Sequence, residues 1–212
     1  MMPGLKCAFG AAVTLACSPA TAQVRTDAEI GAGIYDHGVV RPFRKTLPPG
    51  LIYGGQAEGG TADAQIIYRS RPLAVALKPR LTAKLQVNTG GKTSFASVGA
   101  EWRQHVLKRR IYGQIGIGLT IHDGYTAIPD PFDFAPGSAD FMKRYDLYAT
   151  RTNFGSRILF NPNLSVGVRV NPRWAIEASL EHFSHNNWFG RVNEGMDTLG
   201  LRLVRTLGPR RP

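Results

Sequence analysis

The clearest pattern along the chain is an alternation of apolar residues with small or polar residues between Ile111 and His122. Ile115, Ile117, Leu119 and Ile121 share one parity, and Tyr112, Gln114, Gly116, Gly118, Thr120 and His122 share the other. Successive side chains of a β-strand point to opposite faces, so this segment is predicted to be a strand with one apolar face. An apolar face opposite a small, polar face is typical of transmembrane barrels, whose outer wall contacts lipid.

The alternation recurs in four further segments. Their apolar rows are Leu81, Ala83, Leu85 and Val87; Ile158, Phe160, Leu164, Val166, Val168 and Val170; Trp174, Ile176, Ala178 and Leu180; and Leu199, Leu201 and Leu203. Single charged residues such as Lys84, Glu177 and Arg202 lie on the opposite parity. Isolated charges of this kind are unfavourable in a soluble core, but they suit the polar interior of a membrane barrel.

Turn signals divide the chain into eight predicted strands. Their approximate bounds are 28–37, 61–71, 73–88, 94–105, 110–122, 154–170, 173–184 and 197–207. The loops after strands one, three, five and seven span about 38–60, 89–93, 123–153 and 185–196, and the other connections are shorter. Long loops at one end and short turns at the other are characteristic of bacterial outer-membrane barrels. We therefore predict an all-β fold, an eight-stranded antiparallel transmembrane β-barrel.

The N-terminus has the layout of a secretory signal peptide. Lys6 precedes an apolar run over 8–16, and Ala20-Thr21-Ala22 offers a small-x-small cleavage site. The run is too short to span a bilayer, so we predict a signal peptide at 1–22 and one barrel domain at 23–212, exported to a Gram-negative outer membrane. Cys17 is an alternative lipidation site, which Thr14 disfavours because lipoprotein signals usually carry a branched apolar residue there.

Composition limits the possible partners. With 43% hydrophobic and 19% charged residues, the chain resembles neither a disordered protein nor a bundle of membrane helices. The net charge is +11, and removal of Lys6 with the signal peptide leaves +10. Because an exported protein rarely meets nucleic acid, anionic lipid headgroups and phosphates are the expected partners. Cleavage after Ala22 would also remove Cys7 and Cys17, which excludes disulfides and thiol chemistry.

A histidine and a serine continue the lipid-facing row of the seventh predicted strand. His182 and Ser184 are two residues apart, so their side chains share a face, with β-carbons roughly 6–7 Å apart. That spacing allows an imidazole to act as base toward a serine nucleophile. A histidine and serine at the polar margin of a loop would give the same motif by chance. Their parity with the apolar row favours a function, because polar groups facing lipid are unfavourable unless they are used.

An acidic residue on the last predicted strand completes a possible triad. Asp197 shares the parity of Leu199 and Leu201, so it is expected to point outward beside His182. A carboxylate there would orient the imidazole and balance its positive charge. Glu194 has the opposite parity and lies in the loop, which makes it the alternative acid.

These residues resemble a known family, the lipid A 3-O-deacylases. The resemblance rests on His182-x-Ser184 followed by Asn193-Glu194-Gly195-Met196-Asp197, and it extends over about 154–207. It implies an eight-stranded outer-membrane barrel that hydrolyses the ester-linked acyl chain at position 3 of lipid A, with a His–Ser–acid triad on its outer wall. Lipid A or lipopolysaccharide and the surrounding lipids would be the partners, with no cofactor, and a homodimer is an open possibility.

The sequence departs from the family pattern at two places. Many members have an asparagine directly after the serine, where it contributes to the oxyanion hole, whereas this chain has His185 and then Asn186. Asn186, His185 and Gly195 are therefore the candidates for oxyanion stabilisation or positioning. The family acid is often Glu, and Asp197 is one methylene shorter.

The sequence allows other interpretations of several residues. His182 and His185 could be metal ligands, but no third ligand with zinc spacing is present, so no metal site is predicted. Arg151 and Arg191 could meet lipid A phosphates or be solvated loop charges. The remaining histidines (His37, His105 and His122) are predicted to lie in the lumen or turns, and the tryptophans (Trp102, Trp174 and Trp188) to form an aromatic girdle.

The alternatives to an esterase are a non-enzymatic outer-membrane barrel that retains the motif and a soluble secreted β-sandwich.

Overall fold

A computed structural model describes residues 27–38, 58–107 and 110–208. The predicted signal peptide and its two cysteines lie outside these residues. The strands are β1 (Glu29–His37), β2 (Thr61–Pro72), β3 (Arg80–Asn88), β4 (Phe95–Val106), β5 (Ile111–His122), β6 (Ile158–Phe160), β7 (Asn163–Arg169), β8 (Trp174–Phe183) and β9 (Met196–Thr206). One helix, α1 (Ala139–Thr150), lies in the connection between β5 and β6.

The strands close into an antiparallel barrel. Strand β1 pairs with both β2 and β9, and β4 pairs with β5, which joins the two edges of the sheet. Strands β6 and β7 both pair with β5, so together they occupy one of eight positions in the wall. The predicted fold is therefore confirmed. The soluble β-sandwich is wrong, because the strands form one closed sheet with an apolar outer face.

The predicted third strand, 73–88, is too long. Residues 73–79 form a turn instead, in which the Leu73 amide donates to the Pro79 carbonyl at 2.8 Å. Leu77 and Lys78 have φ values of 62° and 47°, which end the extended conformation. Strand β3 begins only after Pro79, at Arg80.

The predicted sixth strand, 154–170, is also interrupted. Strand β6 ends at Phe160 and β7 begins at Asn163, with Asn161 and Pro162 between them. Pro162 has no amide hydrogen to donate to a neighbouring strand. Asn161 keeps the break attached to the wall, because its amide and carbonyl exchange hydrogen bonds with Gly118 at 2.8 and 3.0 Å.

The two faces of the barrel differ as the alternation predicts. On β5 the isoleucines at 115, 117 and 121 are exposed, while Gln114 and Thr120 are buried inside. The interior holds ion pairs of opposite charge: Arg69 with Glu101 at 2.6 Å and with Glu177 at 2.9 Å, Arg202 with Glu177 at 2.8 Å, and Lys84 with Glu181 at 2.6 Å. These buried charges are each paired, which offsets their removal from water.

An apolar cluster fills the interior at the end that carries the long loops. Its members are Phe95, Phe154, Leu159, Phe183 and Met196, and the rings of Phe95 and Phe183 stack with centroids 4.0 Å apart. Phe183 and Met196 point inward from the adjacent ends of β8 and β9. Because strand side chains alternate, their neighbours along the chain, His182, Ser184 and Asp197, are directed to the outer face.

The long connection between β5 and β6 contains a short 3-10 helix (Pro131–Asp133) and the only α-helix among the described residues. Helix α1 begins after Ser138, whose hydroxyl accepts a hydrogen bond from the Phe141 amide. In the described parts of the chain, no helix is long and apolar enough to cross a membrane.

Candidate active site

His182 and Asp197 are directly opposite partners in the β8–β9 ladder. The Nδ1 atom of His182 lies 2.7 Å from Oδ1 of Asp197. The side chain of His182 is 25% exposed, whereas that of Asp197 is fully buried. The predicted parity of Asp197 therefore agrees with the structure, but its carboxylate is covered rather than open to the surroundings. Burial shields the carboxylate from competing water, which strengthens its interaction with the imidazole.

Ser184 lies one residue beyond β8 and keeps the extended course of the strand. Its amide donates to the Phe160 carbonyl at 3.1 Å, and its carbonyl accepts from the Phe160 amide at 2.7 Å. This pair of hydrogen bonds to β6 keeps the Ser184 side chain on the face of His182. The Oγ atom of Ser184 lies 2.9 Å from Nε2 of His182.

The three side chains thus form a continuous hydrogen-bonded chain. A proton on Nδ1 of His182 is donated to Asp197, which leaves Nε2 as the acceptor for the Ser184 hydroxyl. In this arrangement the imidazole can remove a proton from Ser184 while the carboxylate balances the resulting positive charge. The structure brings together the three residues singled out from the sequence and gives them a geometry suited to nucleophilic attack.

Asn161 was not singled out from the sequence, although it supports His182 from behind. Its Nδ2 donates to the His182 carbonyl at 3.2 Å, and its Oδ1 accepts from Nζ of Lys84 at 2.8 Å. The His182 amide in turn donates to the carbonyl of Pro162 at 3.0 Å. The strand break therefore carries a polar link from the barrel interior to the backbone of His182. The pair Asn161-Pro162 is the sequence feature that could have revealed this strand break.

Gly195 is the oxyanion candidate that lies against the triad. Its φ is +60°, a conformation that L side chains rarely adopt. A β-carbon at this position would lie 3.3 Å from Cβ of Ser184 and 3.6 Å from Cε1 of His182. The backbone of Gly195 is thus packed directly against the nucleophile and the base.

His185 does not fit the oxyanion role considered for it. The side chain is fully buried and points inward, as expected one residue after Ser184. Its Nε2 lies 2.9 Å from both the Phe154 carbonyl and the Val192 carbonyl, so the ring nitrogen donates to these two acceptors. Gly155 and Gly190 leave room for the ring. His185 connects the loop that follows Ser184 to the end of the β5–β6 connection.

The other two loop candidates, Asn186 and Glu194, have different surroundings. Asn186 is exposed and has a φ of 48°. Glu194 accepts a hydrogen bond from the Asn153 amide at 2.7 Å, which places its carboxylate on the neighbouring loop. Of the two possible acids, Asp197 thus contacts His182, whereas Glu194 contacts the Asn153 amide.

The two arginines considered as phosphate ligands have different surroundings. Arg151 is half-buried, with Nε 3.2 Å from Oε1 of Glu58 and a hydrogen bond to the Gly91 carbonyl at 3.0 Å. It therefore holds loops together and is not a free loop charge. Arg191 is exposed and lies in the loop between β8 and β9, which also carries Gly195.

The histidines do not form a metal site in the described part of the chain. The ring nitrogens of His182 and His185 contact different partners, and no group of three or more potential ligands occurs among the described residues. His37 and His122 are buried inside the barrel, as predicted, and His105 packs against the Tyr112 ring.

An apolar groove follows the outer wall directly below the triad. It has a volume of about 770 Å³ and is formed by β1, β8 and β9. Its lining includes Ala32, Ile34, Ile176, Ala178, Leu199 and Leu201. Leu199 is two residues from Asp197 on the same face, so the groove begins roughly 7 Å from the carboxylate-bearing position. The small outward side chains of Ala32 and Ala178 contribute to this groove.

The fold and the outward site define a small outer-membrane barrel with the side chains of an acyl hydrolase. The sequence matches the family model described as lipid A 3-O-deacylase (PagL) over residues 72–206. The chain therefore belongs to this family. Among proteins with curated functions, none matches the sequence significantly.

The chain is also similar to several solved structures. The crystal structure of the outer membrane enzyme PagL is similar with a TM-score of 0.54 at 11% identity, covering 84% of this chain and 99% of that one. A de novo designed transmembrane β-barrel has a TM-score of 0.48 at 10% identity, with 87% and 98% coverage. Neisserial surface protein A has a TM-score of 0.44 at 13% identity, with 84% and 96% coverage. Fold and family together indicate an outer-membrane location.

Proposed function

We propose that this protein is an outer-membrane esterase that hydrolyses the 3-O-linked acyl chain of lipid A by a serine mechanism. The observation that carries the proposal is the hydrogen-bonded chain from Ser184 through His182 to Asp197, with distances of 2.9 and 2.7 Å. Membership of the lipid A 3-O-deacylase family supports the choice of substrate.

The location of the triad also supports a lipid substrate. The triad lies on the outer wall of the barrel, at the end that carries the long loops. In bacterial outer-membrane proteins this end faces the exterior of the cell. Lipid A occupies the surrounding outer leaflet, so its ester can approach Ser184 laterally. The apolar groove below the triad supplies a surface against which an acyl chain can lie, with its carbonyl near the serine.

The reaction would proceed in two halves. Ser184 Oγ attacks the acyl carbonyl carbon while its proton moves to Nε2 of His182. When the tetrahedral intermediate collapses, the bond to the sugar oxygen breaks, and that oxygen takes the proton from His182. Water then attacks the acyl-Ser184 ester, giving a proton to His182, and the free fatty acid leaves as the proton returns to Ser184.

The remaining residues would have supporting roles. Asp197 holds the imidazole in the required tautomer and stabilises its charged form. Gly195, packed against Ser184, is the candidate for positioning or stabilising the developing oxyanion. Arg191 is available on the adjacent loop for a phosphate group of lipid A, whereas Arg151 is already paired with Glu58.

Mass spectrometry of lipid A tests the proposal. Cells that produce the protein should contain lipid A lacking one 3-hydroxyacyl group, and cells without it should not. A non-enzymatic barrel would leave the lipid A spectrum unchanged although the protein reaches the outer membrane. Loss of an acyl group from a different position would contradict the assigned regiospecificity while leaving the esterase mechanism intact.

A further inference from the structure

The end of the barrel opposite the triad carries an unusual combination of charge and exposed apolar residues. We call this end the short-turn rim and define it by residues 27–30, 71–81, 105–107, 110–112, 168–175 and 205–208. Its exposed or half-buried charged residues are Arg71, Lys78, Arg110, Arg169, Arg173, Arg205 and Asp27. Among the described residues, six of these are therefore basic and one is acidic.

The long-loop end has a different charge balance. Counted in the same way, its exposed or half-buried basic residues are Lys92, Lys143, Arg144, Arg151, Arg157 and Arg191, and its acidic residues are Asp36, Asp123, Asp130, Asp133, Asp140, Asp146 and Glu194. Six basic and seven acidic side chains nearly cancel within the described residues. The excess positive charge of the described barrel is thus concentrated on the short-turn rim.

The turns of the short-turn rim are also apolar. Leu77 is 84% exposed and Leu107 is 69% exposed. Leu73, Val75, Val106, Val170 and Leu207 are further exposed apolar residues at this end, so every short turn and the end of β9 contribute. Apolar residues in turns that project into water would form an unfavourable exposed patch. They are favourable where they continue the lipid-facing wall into the headgroup region.

The basic residues are placed to reach lipid phosphates. The Arg205 guanidinium lies over the Trp174 ring at 5.6 Å, and the two residues are direct partners in the β8–β9 ladder. The Arg169 amide donates to the Arg110 carbonyl at 2.8 Å, which brings these turns together. Arg80 and Arg103, in contrast, face the interior and pair with Glu29. Long basic side chains beside apolar surface extend their charged ends toward the membrane interface.

From the charge and the apolar turns we infer that the short-turn rim binds anionic phospholipid headgroups. Short turns face the periplasm in outer-membrane barrels, so the lipids concerned are the phospholipids of the inner leaflet. The apolar turn residues enter the interface, and the guanidinium groups contact phosphates and additional negative charge on the headgroups. This binding fixes the depth and orientation of the barrel. It rests on the fold and does not depend on esterase activity.

Tryptophan quenching by brominated lipids tests this inference. The full mature protein is used with Trp102→Phe and Trp188→Phe, which leaves Trp174 as the reporter at the short-turn rim. It is refolded into phosphatidylcholine vesicles that contain the same mole fraction of either brominated phosphatidylglycerol or brominated phosphatidylcholine. Quenching by the brominated phosphatidylglycerol should be greater by roughly twofold or more at low salt. The difference should shrink as salt is added, because screening weakens the attraction.

Two double variants locate the binding surface. Arg110→Gln with Arg173→Gln should reduce the excess quenching by brominated phosphatidylglycerol, because two of the six basic side chains of the rim are removed. The matched control, Lys143→Gln with Arg144→Gln on α1, should keep the preference. Heat-modifiable migration in gels verifies that each variant is folded. If the rim variant fails to refold, the salt titration of the protein with an unchanged rim tests the inference by itself. Equal quenching in the unmodified rim at low salt would overturn the inference. The inference would also be overturned if the unmodified rim showed no lipid preference and the rim variant no longer cosedimented with peptidoglycan. The rim would then bind the cell wall.

Discussion

His182 and Asp197 occupy directly opposite positions on β8 and β9, and the 2.7 Å contact between their side chains lies within regular sheet. The relative position of base and acid is therefore set by strand register, not by loop conformation. Interior packing of Phe183 and Met196, one residue away on each strand, fixes which face the pair occupies. Changes that alter only the outward side chains should consequently affect chemistry more than folding.

Replacement of the nucleophile is the most direct test of the mechanism. Ser184→Ala should retain the barrel, because the backbone hydrogen bonds to Phe160 do not involve the side chain. The deacylation rate should fall by about 10³-fold or more, since loss of one triad member leaves only binding and oxyanion contributions. The measurement is release of a 3-hydroxyacyl group from lipid A, with Ser70→Ala at the opposite end as the control. Near-normal activity of Ser184→Ala would instead indicate a water molecule activated by His182.

The two acidic candidates can be separated by conservative substitutions. Asp197→Asn should lower kcat by up to ~10⁴-fold, because an amide favours the wrong imidazole tautomer. Glu194→Gln should have a small effect, since the Glu194 carboxylate accepts from the Asn153 amide and the amide oxygen of glutamine can also accept. The reverse order of effects on kcat would mean that the acid reaches His182 from the loop during catalysis.

The groove should determine which acyl chains are accepted. Ala178→Phe fills the groove beside Leu201, while its outward position leaves the interior packing unchanged. Activity on a long-chain ester should fall by about tenfold, a loss of roughly 1.4 kcal/mol of binding that matches a few buried methylene groups. Activity on a butanoyl ester should be nearly unchanged. Val98→Phe on the far wall is the matched control, and equal losses on both esters would contradict the assignment of the groove.

Much of the fold was predictable because the side-chain period of a strand is strict. The outward rows gave the strands, their faces and the shared side of His182, Ser184 and Asp197. The same regularity concealed the turn at 73–79, where Leu73, Val75 and Leu77 continue the odd-numbered apolar row of β3. Alternation alone cannot distinguish an apolar turn from the strand that follows it.

The loop contacts of the site were not predictable from the same pattern. His185 follows the serine in sequence, but strand alternation turns its ring inward, where the Phe154 and Val192 carbonyls accept its hydrogen bonds. The contact with Phe154 joins segments 31 residues apart. The burial of Asp197 likewise depends on neighbouring groups that parity does not identify. Such long-range contacts follow from how the loops pack over the barrel end.

His185 is expected to position the loop that carries Gly195. His185→Ala would leave the buried Phe154 carbonyl and the partly buried Val192 carbonyl without their donor, which should destabilise the folded loop by about 1–3 kcal/mol. The ring makes no hydrogen bond to Ser184 among the described hydrogen bonds, so its effect on the reaction passes through the loop that carries Gly195. The value of kcat should therefore fall while KM changes little. His105→Ala, at the other end of the barrel, is the control for removal of a partly buried imidazole. Restoration of kcat by His185→Gln would support a positioning role, and an unchanged kcat in His185→Ala would exclude it.

Glu58 should make the loop assembly sensitive to acid. Its carboxylate accepts hydrogen bonds from the Thr93 amide at 2.9 Å and the Thr152 amide at 3.0 Å, and it contacts His37 and Arg151 at 3.3 and 3.2 Å. One side chain therefore joins four separate parts of the long-loop end. Burial by itself raises the pKa of Glu58, but the hydrogen bonds from His37 and the two amides lower it from 4.5 to about 2.

The sign of the resulting pH dependence follows from this lowered pKa. A carboxyl whose folded pKa lies below its unfolded value stabilises the fold above the unfolded pKa, and this stabilisation is lost as the pH falls through the folded pKa. The urea midpoint of the wild-type protein should therefore decrease as the pH falls from about 5 to 2. Glu58→Gln should be less stable at neutral pH by about 1–3 kcal/mol and should show a flatter profile over that interval. Asp130→Asn, which removes an exposed carboxylate from the same end, is the control. A Glu58→Gln profile parallel to that of the wild type would show that other carboxylates determine the acid sensitivity.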